Sequence, residues 1–197
     1  MKTSFVAVLL SLAVSVHAAP RLGEPAPDFT LSDQSGKPVK LSDSKGKLVV
    51  LEWFNKGCPF VRKHYGSKNM QGLQKKYAKK GVVWYTIVSS KAGKEGHLTA
   101  AEATAEMKSA DMGSKAILLD EKGDVGRMYS AKTTPHMFVV DKKGALVYMG
   151  GIDDTASPDP ADIKSSKNYV AAALDEAMAG KPVSTPSSPP YGCSVKY

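Results

Sequence analysis

Two cysteines carry the chemistry this sequence offers: Cys58, in Trp53-Phe54-Asn55-Lys56-Gly57-Cys58-Pro59, and Cys193, in Tyr191-Gly192-Cys193-Ser194. A thiol at a strand-to-helix junction lies against the positive end of the helix dipole. Unpaired N–H groups there favour the thiolate and lower its pKa. Leu48–Leu51 is a continuous apolar run of the kind a doubly covered strand needs, and Pro59 suits the first turn of a helix. Cys58 is therefore a candidate nucleophile at an exposed helix start, with Pro59 behind it. Lys56 and Arg62 are near enough in sequence to add positive potential. Cys193 follows a Pro/Ser-rich stretch, residues 181–190. Ten linker residues in extended form reach about 30 Å, enough to cross a domain of this size. Two cysteines allow one intramolecular bond or two separate thiols, and spacing alone does not choose between them.

These residues need a scaffold, and the pattern supplies one. Phe29-Thr30-Leu31 and Val39-Lys40-Leu41 flank a turn at Gln34-Ser35-Gly36 and predict a β-hairpin. The helix after Cys58 is expected to run to about Lys80, with a kink or break at Gly66. Val82–Val88 and Ala116–Leu119 read as strands, and Thr99-Ala100-Ala101-Glu102 has capping-box spacing before a helix to about Ala110. Asp124–Tyr129 is helical in pattern. Met137–Val140 and Ala145–Met149 form a hairpin around Lys142-Lys143-Gly144, and Val170–Met178 is a last amphipathic helix before Gly180. Strands alternating with helices indicate an α/β fold with a mixed sheet.

The first eighteen residues stand apart. Lys2, an apolar run from Phe5 to Val16 and small residues at Ala18-Ala19 form a signal-peptide pattern, with cleavage expected after Ala18. The run is too short to span a bilayer, so no stable membrane insertion is expected. The expected organisation is a signal peptide at 1–18, a domain at 22–180 and a tail at 181–197. Export, to the periplasm or outside the cell, would let disulfides form. The net charge of +8 is spread over short runs such as Lys75-Lys76 and Lys142-Lys143. That suits a solvated surface better than a nucleic-acid interface.

The order Trp53-Phe54, Cys58-Pro59-Phe60-Val61 at a helix start, then Thr133-Thr134-Pro135 before the strand Met137–Val140, resembles the thioredoxin superfamily. Gly23-Glu24-Pro25-Ala26-Pro27-Asp28-Phe29 is similar to the redoxin and alkyl hydroperoxide reductase/thiol-specific antioxidant branch. The resemblance spans about residues 22 to 180. It implies a thioredoxin-like fold, a central mixed sheet flanked by helices with an N-terminal β-hairpin extension. It also implies a cis Pro135 whose loop, Thr134-Pro135-His136, faces Cys58. The departures are informative. Val61 stands where thioredoxins carry their second cysteine. Leu51 and Asn55 stand where peroxiredoxins place Pro and Thr or Ser, and Thr134-Pro135-His136 occupies the place of their arginine. Cys58 thus matches the nucleophilic thioredoxin cysteine in a peroxiredoxin-like subgroup that lacks its local partner.

Three functions follow as expectations. The first is an exported thiol–disulfide oxidoreductase, with Cys58 as nucleophile and Cys193 resolving. It would act on protein or small-molecule thiols and disulfides, with a redox partner protein and no cofactor. The second is a thiol peroxidase of antioxidant type, in which Cys58 becomes a sulfenic acid. The third is a copper-handling or redox-sensing module using Cys58 and His136. His64, about 240° around an ideal helix from Cys58, is expected to point elsewhere. Asp153-Asp154 is a weak cation-site candidate.

Overall fold

The computed structural model describes residues 19–197. The expected signal peptide, residues 1–18, lies outside the described residues. Strands β1 (Thr30–Asp33) and β2 (Pro38–Lys40) form the expected hairpin. The apolar run becomes β3 (Val49–Trp53), buried at every position, and leads to α1 (Pro59–Gly66). The chain breaks after Gly66, where Lys68 takes a left-handed backbone at φ 62°, and resumes as α2 (Asn69–Ala78). There follow β4 (Val83–Val88), α3 (Ala100–Ser109), β5 (Ala116–Leu119) and the short α4 (Asp124–Met128). Thr99 caps α3 through a complete capping box with Glu102. Beyond them lie β6 (Thr133–Thr134), β7 (His136–Val140), β8 (Leu146–Gly150), α5 (Tyr169–Met178) and β9 (Cys193–Ser194).

Seven strands form one mixed sheet in the order β2-β1-β5-β4-β3-β7-β8. The β3–β4 and β4–β5 pairs are parallel, and β3–β7 and β7–β8 are antiparallel. Alternation along the central strands divides the core in two. Val50, Met137 and Val139 pack with Cys58 and α5 on one face. Leu51, Trp53, Phe138 and Val140 pack on the other, where the Trp53 ring stacks edge-on to Phe138 at 5.1 Å.

The Pro/Ser-rich tail is bonded to the domain. Ser188 N donates to Met149 O at 3.2 Å and Met149 N donates to Pro186 O at 3.1 Å, while the Ser188 hydroxyl meets Tyr148 Oη at 2.7 Å and accepts from Gly151 N at 3.0 Å. At the chain end the Tyr197 hydroxyl donates to Ala131 O at 2.8 Å. Residues 181–197 therefore lie along the domain, because their backbone groups find partners on β8 and around β6.

Candidate active site

Asn55 builds the turn that delivers Cys58. Its side-chain oxygen accepts from Gly57 N at 2.8 Å, its amide donates to Glu95 O at 3.3 Å, and its carbonyl accepts from Cys58 N at 3.1 Å. Cys58 is then the N-cap of α1, Pro59 is the first helical residue, and Arg62 N closes the first turn onto Cys58 O at 2.9 Å. The sulfur is not exposed as its flanking residues suggest. Cys58 is 0 % exposed, and its thiol donates to Thr134 O at 3.0 Å.

Thr134 is the hub of the site. It precedes Pro135 through a cis peptide bond. Its strand β6 pairs antiparallel with β9 in the register Thr134↔Cys193 and Thr133↔Ser194. Cys193, half-buried, is thereby placed against Cys58, and both are free thiols. Burial pushes the Cys58 thiol up. Hydrogen bonds at the Cys193 thiol and N–H, at Thr134 and at the Val61 N–H outweigh burial and hold it below the ordinary thiol value. The Thr134 hydroxyl is buried beside the site without a hydrogen-bond partner. Cys193 moves the other way. Burial, its hydrogen bond to Cys58 and the Cys58 charge push it up to about 11.

Lys56 and Arg62 are solvent-exposed, and the leading support for the thiolate comes from hydrogen bonds at Cys193, Thr134 and Val61. His136 follows Pro135, but its ring stacks on Phe138 at 4.5 Å, on the sheet face opposite Cys58, and its Nδ1 accepts from Lys132 N at 3.2 Å. A Cys58–His136 copper pair therefore has no geometric basis. The hydrogen-bond partners of His64 are Asn69 and Tyr191, and its ring approaches Asp153. Asp153 is buried beside Lys63 and His64 and does not form an open cation site with Asp154.

Sequence reasoning missed Glu52, on the Cys58 side of β3. Its carboxylate accepts from Tyr65 Oη at 2.9 Å, Trp84 Nε1 at 2.8 Å and Gln74 Nε2 at 3.1 Å. A lone charge inside the apolar run Val49–Trp53 was the available signal. Burial pushes Glu52 up to about 7 against those three donors. The folded chain thus binds this proton more tightly than the unfolded chain, whose carboxyl titrates at its ordinary value of 4.5. The resulting stability is fully present below pH 4.5 and is lost as pH rises to about 7. The loss amounts to about 3 kcal/mol. Glu52→Gln is expected to flatten that part of the profile in urea unfolding between pH 4.5 and 7.5. Identical slopes for variant and wild type would refute the assignment.

The sequence profile of the AhpC/TSA family matches residues 22–149. Thioredoxin-like protein YneN of Bacillus subtilis (strain 168) is 32% identical over 124 residues, covering 63% of this chain and 68% of that protein. Thiol-disulfide oxidoreductase ResA of Bacillus cereus (strain ATCC 10987 / NRS 248) is 29% identical over 126 residues, covering 64% and 67%. The crystal structure of a hypothetical protein from Sinorhizobium meliloti 1021 superposes with a TM-score of 0.78 at 28% identity, covering 91% of this chain and 96% of that one. That coverage extends well past residue 149, into the region that carries α5 and the tail.

Proposed function

Because this chain belongs to the AhpC/TSA family of thioredoxin-like redoxins, we propose that it is an exported thiol–disulfide oxidoreductase in which Cys58 attacks and Cys193 resolves. The observation that carries the reading is the β6–β9 register, which sets Cys193 opposite Thr134, whose carbonyl holds the Cys58 thiol. The relatives named thiol-disulfide oxidoreductase support the chemistry, and the signal-peptide pattern of residues 1–18 supports the export.

The exchange proceeds in two displacements. The Cys58 thiolate attacks one sulfur of a substrate disulfide and forms a mixed disulfide. The other substrate sulfur leaves as a thiolate and takes up a proton. Cys193 then attacks the Cys58 sulfur, and the second substrate thiol departs. The substrate disulfide is reduced to two thiols, and Cys58 and Cys193 are oxidised to a disulfide. An external dithiol must return them to the reduced state.

The two thiols divide the work by charge. While Cys58 is a thiolate, Cys193 keeps its proton and donates it to that sulfur. Formation of the mixed disulfide removes the Cys58 charge, and with it part of what holds Cys193 up. The resolving thiol is thus activated by the first step. On this reading the tail, residues 181–197, is an arm of the catalytic unit.

Alkylation and mass mapping test the pairing. Protein oxidised by glutathione disulfide is expected to carry a 58–193 bond that dithiothreitol removes and that Cys58→Ser and Cys193→Ser each lack. Two thiols that remain free throughout would eliminate the resolving mechanism.

A further inference from the structure

Beside the two thiols lies a buried polar network that the exchange chemistry does not use. Tyr191, two residues before Cys193, donates its hydroxyl to Asp153 Oδ1 and lies 3.3 Å from His64 Nε2. Its ring packs edge-on against Phe60 at 5.8 Å, with Lys63 Nζ 5.9 Å from the ring centroid. Asp153 Oδ2 lies 3.9 Å from Lys63 Nζ and 3.8 Å from His64 Nε2, with the lysine and histidine side chains 0 % exposed and the aspartate 2 %. Lys63 donates to Thr155 O at 3.1 Å. Asn69 Nδ2 donates to His64 Nδ1 at 2.9 Å, which leaves the ring proton on Nε2, facing Tyr191 and Asp153.

Burying a lysine and an aspartate is costly, and apolar residues of the same volume would pack there at less cost. The network is also aimed. Phe60, Lys63 and His64 all sit on α1, the helix whose N-cap is Cys58. Tyr191 therefore ties the tail to the nucleophile's own helix.

The strand that carries Cys193 needs such a tie. A two-residue ladder such as β6–β9 specifies its register weakly, and a slip of one residue turns every side chain to the other face. Between anchor and thiol lies Gly192, at φ 134°, pressed against Thr134. A Cβ at that position would fall 2.1 Å from Thr134 O. Tyr191 fixes where the tail arrives, and Gly192 makes the close turn that brings Cys193 into register.

We propose that Tyr191 is a positioning residue for the resolving thiol: clamped by Asp153 and His64, it sets the β9 register that aims Cys193 at Cys58. The proposal rests on the exchange reading above.

Full-length wild type, Tyr191→Phe, Gly192→Ala and Tyr197→Phe are equilibrated with reduced and oxidised glutathione. The ratio of 58–193 disulfide to glutathionylated Cys58 is then read by mass. Loss of the hydroxyl bonded to a carboxylate is expected to lower that ratio roughly tenfold or more in Tyr191→Phe. Gly192→Ala should do the same while leaving the anchor intact. Tyr197→Phe removes another tail hydrogen bond, beyond Cys193, and should stay within about twofold of wild type. An unchanged ratio in Tyr191→Phe overturns the assignment, as does an equal fall in Tyr197→Phe. Wild type that forms no 58–193 bond would instead sink the exchange reading itself.

Discussion

Cys58→Ser is expected to reduce catalysed exchange to the uncatalysed background. The serine hydroxyl stays protonated at neutral pH, and oxygen cannot enter the disulfide that carries the reaction. Cys193→Ser should behave differently. Its first displacement survives, so one equivalent of mixed disulfide per chain accumulates at Cys58. Multiple turnover falls by about a hundredfold or more, because an external thiol must replace a positioned one. Quenching with acid and weighing the intact protein separates the two variants. Cys193→Ala adds a pH arm. It removes the thiol hydrogen bond that favours the Cys58 anion, so the midpoint of Cys58 alkylation against pH should move upward. A Cys58→Ser protein that turns over like wild type would refute the assignment of the nucleophile. An unmoved alkylation midpoint in Cys193→Ala would refute the contact between the thiols.

The local grammar of this chain was readable. Pro59 after Cys58 marked a helix start, Gly66 marked a break, and Thr99 with Glu102 marked a capped helix. Each signal acts within a few residues, where backbone geometry is decided. The position of Thr134-Pro135 opposite Cys58 was legible only through family resemblance, since it depends on strands β3 and β7 pairing across some 80 residues of chain.

What escaped was tertiary. Every residue of β7, from His136 to Val140, is buried. A strand covered on both sides shows no apolar–polar alternation, so nothing in the sequence said that His136 faces away from the sulfur. The flanks of Cys58 suit an exposed helix start, yet the sulfur is covered from far along the chain, by Thr134 of β6 and by Cys193 of the tail. The Pro/Ser composition of residues 181–190 marks a segment without regular structure, which does not distinguish a free linker from a strap whose backbone pairs with β8. Lys63 and Asp153 lie 90 positions apart; nothing in the sequence marks Lys63, and Asp153 reads only as half of a weak cation-site pair. Only the fold makes them partners.

That partnership carries the largest expected effect on stability. Asp153→Ala leaves the Lys63 ammonium buried, with Thr155 O as its hydrogen-bond acceptor and no counter-charge. Breaking a buried pair from one side is expected to cost about 3–5 kcal/mol in chemical unfolding. Lys63→Met should cost less, because the Asp153 carboxylate still accepts from Tyr191 and from Thr155 N at 3.1 Å. The double variant Lys63→Met/Asp153→Leu exchanges the pair for apolar volume and should recover most of the Asp153→Ala loss. A double variant no more stable than Asp153→Ala would show that the charges are not each other's compensation. The same protein separates stability from function. If its fold is restored while its 58–193 disulfide is weakened like that of Tyr191→Phe, the buried charges hold the tail in register, and bulk stability does not account for their presence beneath the thiol.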